Sequence, residues 1–301
     1  MTEKARHSSR KSGKEEYFTI PSVAQRCVKE FMLRFPKCKN FLDPCAGSGS
    51  FSDQLENYGS VTKFDITPRS PNTVEIDFTK NNWKQLITNN VDAVITNPPF
   101  GRASNLAIQF FNQAATITDL IGFIIPSSWV SKHFIHDKLD PNFNLIYNTK
   151  LPAVSFMTPE GKDYEDGNLN CVFQIWQRSD RPRKKMLHYR SNDFEFIRPK
   201  NVNVILAKNS YDRETKPVFD VDEEKLITIR THGSQAGKIL SGTHYNPRTV
   251  AWILPKVEGV ENNLRKTDFS LYFENNAYTP SLSPSEISYS YDSFVKKVSH
   301  I

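Results

Sequence analysis

Short apolar runs rich in β-branched residues recur in the first part of the chain and alternate with segments of helical spacing. The clearest run is 91–96, and runs of similar character stand at 40–43, 60–65, 73–78, 120–126, 143–151 and 171–176. Apolar runs of this length are typical of parallel strands that are covered on both faces. Helical spacing follows Pro21, Ser50 and Ala103. This alternation predicts an α/β domain in which 171–176 completes an antiparallel pair at one edge.

The pattern changes after a basic run that consists of Arg178, Arg181, Arg183, Lys184 and Lys185. A solvated linker and a strip that contacts phosphates explain this run equally well. From 186 onward short strand-like runs, such as 202–206 and 226–230, predict a smaller β-rich domain. The segment 272–290 is rich in Tyr, Ser, Pro and Asn, which favours an extended chain. We therefore divide the chain into a disordered basic arm at 1–16, a first domain at 17–180 and a second domain at 186–301.

Two glycines and two acids follow the first three predicted strands in order. Gly47 and Gly49 come after the strand at 40–43, where the lack of a side chain lets the backbone approach a ligand closely. Asp65 ends the next strand roughly 20 residues later, the distance expected for a carboxylate that holds ribose hydroxyls. Asp77 is near the end of the third strand, in position to meet the exocyclic amine of an adenine ring. Each feature alone also fits an ordinary turn, but their order predicts a nucleoside site.

The fourth strand runs directly into Asn97, Pro98, Pro99 and Phe100. Ligands of open α/β sheets bind at the carboxyl ends of strands, so we expect this tetrapeptide to face the same site as Gly47. The prolines lack N–H groups and leave carbonyls free to accept hydrogen bonds. Asn97 adds a side-chain acceptor and Phe100 a stacking face. The sequence predicts a pocket for a flat group that carries an amine, although a plain turn is the alternative.

These motifs resemble those of class I S-adenosylmethionine-dependent methyltransferases, specifically the enzymes that methylate the N6 amine of adenine. The resemblance covers 17–178 and includes a Thr-x-Pro element at Thr19 and Pro21. The motif order is similar to that of the group with a C-terminal target-recognition domain, and the whole chain is similar to phage and viral members that lack a restriction partner. The resemblance implies a Rossmann-like seven-stranded methyltransferase sheet, S-adenosylmethionine as cofactor and nucleic acid as partner.

The resemblance also implies roles for single residues. The catalytic loop would consist of Asn97, Pro98, Pro99 and Phe100. The cofactor-binding residues would be Thr19, Pro21, Asp43, Ala46, Gly47, Gly49, Asp65, Asp77 and Phe78. Among them, Asp65 would hold the ribose, and Asp77 with Phe78 the adenine. Transfer from a sulfonium needs no nucleophilic side chain, because the donor is already activated. DNA is the preferred acceptor; RNA adenosine, a protein glutamine amide and a catalytically silent binding subunit stay open as alternatives.

Two further stretches carry candidate substrate contacts. The long segment 152–170 contains Phe156, Lys162 and Tyr164, which suit a grip on a nucleotide rotated out of a helix. The second domain contains Arg230, His232 and Lys238 around a glycine-rich turn, where a structural hairpin is the other interpretation.

Composition and charge predict the kind of partner, the state of the cysteines and the cellular location. The net charge of +6 over 301 residues is compatible with an acidic partner such as nucleic acid. The four cysteines have no paired spacing, which argues against a zinc site or disulfides and favours reduced thiols. His133 and His136 have helical spacing but lack a third ligand, so no metal is expected. The arm at 1–16 has no apolar core, and we expect a protein without membrane contact in the cytoplasm of a bacterial or viral host cell.

Overall fold

The computed structural model describes residues 17–130, 132–158, 162, 169–184, 188–202, 216–273 and 281–298. The chain divides into two compact units, Met1–Met186 and Leu187–Ile301. The strands of the first unit are β1 (Phe18–Thr19), β2 (Asn40–Asp43), β3 (Ser60–Asp65), β4 (Val74–Glu75), β5 (Ala93–Thr96), β6 (Leu120–Pro126), β7 (Phe143–Lys150), β8 (Phe156–Met157) and β9 (Cys171–Arg178). Its helices are α1 (Pro21–Arg34), α2 (Ser52–Leu55), α3 (Asn105–Ala114) and α4 (His133–His136).

Seven of these strands form one sheet in the order β4-β3-β2-β5-β6-β9-β7. Strands β2 to β6 pair in parallel, and β9 runs antiparallel to both of its neighbours, β6 and β7. The predicted α/β, Rossmann-like seven-stranded sheet is therefore confirmed, with the antiparallel pair at one edge. The third strand is shorter than predicted, since only Val74–Glu75 pairs with β3.

The apolar runs form strands because both faces of the sheet are covered. Val94 of β5 and Phe123 of β6 are fully buried. On α3, Phe111 packs its ring 5.4 Å from the ring of Trp176 and 5.5 Å from that of Phe143. Burying a large apolar side chain contributes roughly 1.5–3 kcal/mol, so contacts of this kind fix α3 against the sheet.

A second, two-stranded sheet pairs β1 with β8. Phe18 lies opposite Met157 and Thr19 opposite Phe156. The chain then enters α1 at Pro21. Proline suits the first helical turn because a backbone N–H at that position has no partner within the helix, so no hydrogen bond is lost. This pairing holds the segment before α1 against the segment after β7.

The described residues of the second unit include a four-stranded sheet and several helices. The sheet has the order β10 (Phe194–Ile197), β13 (Val250–Pro255), β11 (Ile227–Arg230) and β12 (Ile239–Leu240), and every pairing in it is antiparallel. The helices are α5 (Val260–Lys266), α6 (Ser270–Phe273) and α7 (Pro284–Val298). The predicted strand at 226–230 corresponds to β11, whereas most of the one predicted at 202–206 lies outside the described residues.

The extended chain predicted for 272–290 is wrong where the structure describes helix α7. Ser283 and Glu286 cap this helix reciprocally: the Ser283 N–H donates to the Glu286 carboxylate at 2.7 Å, and the Glu286 N–H donates to the Ser283 hydroxyl at 3.3 Å. Ile287 and Tyr291 then face the core one turn apart. The Ser-Pro-Ser-Glu sequence is a helix-start signal that outweighs the polar composition.

None of the helices in the described part of the chain is both long and apolar enough to cross a membrane.

Candidate functional site

A cavity of about 1050 Å³ lies at the carboxyl edge of the seven-stranded sheet. After β2 the chain continues to β3, on one side in the sheet, and after β5 it continues to β6, on the other side. Ligands of such sheets bind in the crevice between the two strands from which the chain turns in opposite directions. The predicted catalytic and cofactor residues that line the cavity are Thr19, Asp43, Ala46, Gly47, Asp65, Asp77, Phe78, Asn97, Pro98, Pro99 and Phe100. The glycine turn and the Asn-Pro-Pro-Phe loop therefore share one cavity.

The turn after β2 brings bare backbone to the cavity at Gly47. This residue has a φ of +51°, and a Cβ built on it would lie 3.0 Å from a ring carbon of Phe18. The turn is tied to the end of β3, because the Ala46 N–H donates to the Phe64 carbonyl at 2.9 Å and the Gly47 N–H to the Asp65 carboxylate at 2.7 Å. A side chain at position 47 would be strained by this conformation and crowded by the Phe18 ring.

Asp65 is held in place and keeps capacity for a ligand. One carboxylate oxygen accepts from the Gly47 N–H at 2.7 Å, and the other accepts from the Thr67 N–H at 2.8 Å. An ionised carboxylate has about four acceptor positions. Two backbone donors therefore fix the orientation of Asp65 and leave acceptor positions for hydroxyl groups in the cavity.

Asp43 links three elements at the cavity wall. Its side chain is 1% exposed and accepts hydrogen bonds of 2.7 Å from the hydroxyls of Ser52 and Thr96. Burial raises the pKa of Asp43 to about 6, against the opposing effect of these hydrogen bonds. Because Ser52 begins α2 and Thr96 ends β5, Asp43 fixes the glycine turn relative to the residue before Asn97.

Asp77 and Phe78 differ in what they offer the cavity. The Thr79 hydroxyl donates to Asp77 at 2.6 Å and is the main cause that lowers the pKa of this carboxyl group. Lys80 adds an ion pair at 3.6 Å. Phe78 is 1% exposed, with its ring 4.4 Å from that of Trp83 and 5.3 Å from that of Phe110. Asp77 therefore supplies a charged acceptor, whereas the Phe78 ring belongs mainly to the core.

Asn97 presents an unpaired amide oxygen. Its Nδ2 donates to the Tyr17 carbonyl at 3.2 Å, which sets the orientation of the amide, since a carbonyl can only accept. Its Oδ1 is buried and has no hydrogen-bond partner in the described part of the chain. A buried acceptor without a partner costs about 1–3 kcal/mol, and a ligand group that donates a hydrogen bond to this oxygen would remove that cost.

Between Asn97 and α3 the backbone is irregular except for a short 3₁₀ helix at Arg102–Ser104. Pro98 and Phe100 are buried, and Gly101 has a φ of +66° with Leu106 so close that a Cβ would clash at 2.8 Å. Ala103 and Ser104 also have positive φ values, of 53° and 61°, which non-glycine residues rarely adopt. Strained backbone of this kind is concentrated at functional sites.

Strand β1 also lines the cavity, through Phe18 and Thr19. Thr19 is 3% exposed, and among the described residues its hydroxyl has no hydrogen-bond partner. The Thr19 carbonyl accepts from the Ser50 hydroxyl at 2.6 Å, and the Ile20 N–H donates to the Ser155 carbonyl at 3.0 Å. The strand that carries Thr19 is thus bound both to the glycine turn and to the segment of β8.

Some predicted site residues do not line the cavity. Pro21 is exposed at the start of α1, and Gly49, with a φ of +94°, shapes the turn from behind. Phe156 is 2% exposed and packs its ring 6.4 Å from that of Tyr17, so it supports β1 from β8. Lys162 is exposed, and Tyr164 lies outside the described residues.

The candidates in the second unit surround a hairpin. Arg230 ends β11, donates to the Thr249 hydroxyl at 3.1 Å and has its guanidinium carbon 5.6 Å from the centre of the Tyr245 ring. His232 pairs with Ser281 in an isolated β-bridge, and its side chain is exposed. Lys238 is exposed just before β12. The predicted structural hairpin is therefore present, and contact with a substrate stays a proposal.

Two arginines of the basic run and the histidine at 136 have structural contacts that sequence reasoning missed. Arg178 donates to Asp119 at 2.7 Å, and Arg183 donates to the carbonyls of Phe143 at 3.0 Å and Leu139 at 2.9 Å. The His136 ring contacts the Trp129 carbonyl at 2.5 Å, and burial lowers its pKa. In the described residues no group of three or more His, Cys, Asp or Glu side chains is arranged to hold a metal ion.

Several cavity residues were not predicted. Tyr17, Phe18, Ile66 and Arg69 line the cavity from β1 and from the loop after β3. The only local signal was their position next to Thr19 and Asp65, because none of them belongs to a repeated pattern. Their assembly depends on the β1–β8 pairing and on a loop conformation that periodicity does not report.

Comparison with known proteins gives the following similarities. No family model matches this sequence, and no curated protein matches it. Among solved structures, a protein of Thermoplasma acidophilum is 17% identical, with a TM-score of 0.39 over 54% of this chain and 89% of that one. A type I restriction-modification methyltransferase subunit of Streptococcus thermophilus is 14% identical, with a TM-score of 0.40 over 57% and 47%. A Burkholderia thailandensis 1,6-didemethyltoxoflavin-N1-methyltransferase with bound S-adenosylhomocysteine is 10% identical, with a TM-score of 0.38 over 53% and 80%.

Proposed function

We propose that this protein transfers a methyl group from S-adenosylmethionine to the N6 amine of adenine in nucleic acid, with DNA as the preferred acceptor. The observation that carries the proposal is the Asn97 amide oxygen, which is buried and without a partner among the described residues, in the same cavity as the Gly47 turn. A buried acceptor without a partner, on a residue that lines such a cavity, suits an amino group as ligand.

The cavity fits the methyl donor by three features. Gly47 has no Cβ to fill the space beside it, so its backbone can approach a ligand closely. The Thr19 hydroxyl is buried without a partner in the described part of the chain, and Asp65 keeps acceptor positions for ribose hydroxyls. When bound, S-adenosylmethionine supplies a methyl group that its sulfonium has already activated. The chain therefore needs to bind, orient and exclude water, and no nucleophilic side chain is required.

The Asn-Pro-Pro-Phe loop would bind the acceptor amine. Asn97 Oδ1 accepts one amine hydrogen, and the Pro98 carbonyl accepts the other. The nitrogen lone pair of an adenine amine is delocalised into the ring, and two acceptors favour the tetrahedral geometry and the positive charge that develop during attack. Phe100 forms part of the wall against which the base stacks, a contact worth roughly 1–3 kcal/mol per base. Fixing the nitrogen in line with the methyl group supplies further acceleration, and the methylated nitrogen then loses one proton to solvent.

The acceptor is identified by an incubation of the full chain with labelled S-adenosylmethionine and, separately, duplex DNA, single-stranded DNA, structured RNA or cell protein. Digestion of each sample to nucleosides or peptides identifies the product. We expect N6-methyladenine from a DNA sample. Label found only in RNA adenosine or in protein glutamine would assign the alternative acceptor, and absence of N6-methyladenine from every nucleic-acid sample contradicts the proposal.

Calorimetry separates the enzyme from a catalytically silent binding subunit. We expect S-adenosylmethionine to bind the protein alone, because the cavity residues are held by intramolecular hydrogen bonds before a ligand arrives. Absence of binding, also when DNA or RNA is present, would favour the silent subunit.

A further inference from the structure

Arg69 lies beside the glycine turn, although it belongs to a different loop. It follows Asp65 in the connection between β3 and β4 and lines the cavity. The next residue, Ser70, comes so close to the turn that a Cβ on Gly49 would lie 3.2 Å from the Ser70 Cβ. The Arg69 guanidinium carbon is 5.2 Å from the centre of the Phe18 ring. A carbon of the same ring lies 3.0 Å from where a Cβ on Gly47 would be, so the guanidinium and the turn are neighbours of one ring.

Acidic side chains outnumber basic ones in the cavity wall. Among the described lining residues, three are carboxylic acids, Asp43, Asp65 and Asp77, and Arg69 is the only Lys or Arg. The methyl donor carries a sulfonium, an α-ammonium and an α-carboxylate. The acidic wall attracts the first two groups and repels the third. A cation near the carboxylate would offset this repulsion.

We propose that Arg69 binds the α-carboxylate of the methyl donor and so selects donors that carry an intact amino-acid end. The inference rests on the proposed function only in taking an S-adenosyl ligand as the occupant of the cavity. A guanidinium suits this role because its planar N–H groups match the two oxygens of a carboxylate. Contact with the Phe18 ring keeps the guanidinium near the glycine turn, where the methionine part of the donor would lie.

The expected effect is moderate, because the Arg69 side chain is exposed. Water and salt weaken an exposed ion pair, whereas bidentate hydrogen bonding strengthens it, and we expect about a tenfold change in affinity. The contribution should also decrease as the salt concentration rises.

The test compares two donors by calorimetry on the full chain. One is S-adenosylmethionine, and the other is its decarboxylated form, which keeps the sulfonium and the amine. We expect the wild-type protein to prefer S-adenosylmethionine by about tenfold and Arg69→Gln to lose most of this preference, whereas Arg69→Lys keeps part of it. Lys84→Gln is the matched control, because Lys84 is another exposed cation over an aromatic ring, at 5.6 Å from Trp83, and does not line the cavity.

The outcomes separate this inference from the proposed function. If Arg69→Gln weakens both donors equally, the residue only supports Phe18, and the inference is wrong while the function stands. If both donors keep their affinities and binding of a DNA oligonucleotide weakens instead, Arg69 contacts phosphate, and the inference is again wrong. If neither donor binds the wild-type protein, the proposed function fails, and the role of Arg69 fails with it.

Discussion

At the scale of single residues, Asn97 has a small structural role beside the binding role that we propose for it. Replacement by Ala removes the unpaired Oδ1 acceptor and one hydrogen bond, from Nδ2 to the Tyr17 carbonyl. Loss of one preorganised group that stabilises a transition state typically costs 10²–10³-fold in turnover. We therefore expect Asn97→Ala to lower kcat by about 100-fold or more, with donor affinity and the melting temperature almost unchanged, as measured by methylation kinetics, calorimetry and thermal unfolding.

A conservative variant refines this prediction. Asn97→Asp keeps an acceptor but sets a second oxygen against the Tyr17 carbonyl, and two acceptors repel each other. Its kcat should therefore also decrease strongly. A weaker donor affinity with unchanged kcat in either variant would mean that Asn97 belongs to the cofactor site.

Asp43 predicts a pH dependence of stability. Its pKa is about 6 in the folded protein and near 3.8 when the chain is unfolded, because burial disfavours the charged form. Between these two pKa values the folded state binds the proton more tightly than the unfolded state does. The contribution of Asp43 to the free energy of unfolding therefore decreases as the pH rises from about 4 to 6. We expect a decrease on the order of 3 kcal/mol from this group. Urea unfolding at several pH values should show it in the wild type, and Asp43→Asn should flatten the profile. An unchanged profile in the variant would assign the pH dependence to other groups.

At the scale of elements, the segment after β9 is a support for the fold. Arg183 donates to carbonyls at the end of α4 and at the start of β7, and its guanidinium lies 5.7 Å from the Trp176 ring. Loss of charged donors from partly buried carbonyls costs about 1.5–3 kcal/mol. Arg183→Ala should therefore lower the free energy of unfolding by about 2 kcal/mol in urea, whereas Arg181→Ala, at an exposed side chain, should have an effect below about 0.5 kcal/mol. Equal effects of the two variants would contradict this role.

The elements also differ in how well the sequence predicts them. Strands β5, β6 and β9 follow from continuous apolar runs, because burial on both faces leaves that pattern. The pairing of Phe18–Thr19 with Phe156–Met157 leaves none, because two residues are too few for a period and the partners are far apart in sequence. The same pairing brings Tyr17 to Asn97, so the orientation of this amide was beyond sequence reasoning. The strand ends of the candidate site were predictable, and Arg69, on an irregular loop, was not.

At the scale of the whole molecule, the positive charge is unevenly distributed. In Met1–Met186 the Lys and Arg residues outnumber Asp and Glu by five, and in Leu187–Ile301 by only one. Contact between the second unit and nucleic acid, which the target-recognition proposal requires, would therefore depend on local groups such as Arg230 more than on overall attraction.

Hydrogen exchange tests the proposal that the first unit binds the cofactor and the second unit binds the target nucleic acid. A donor at 100 times its Kd stabilises the state that binds it by about 2.7 kcal/mol, and local protection appears where the ligand contacts the backbone. We expect S-adenosylmethionine to protect the backbone around Gly47, Asp65 and Asn97 and to leave β13 unchanged. An adenine-containing DNA duplex added next should protect the hairpin between β11 and β12. Protection of that hairpin by the donor alone would contradict the assignment of cofactor binding to the first unit, and its absence with DNA would remove the second unit from target recognition.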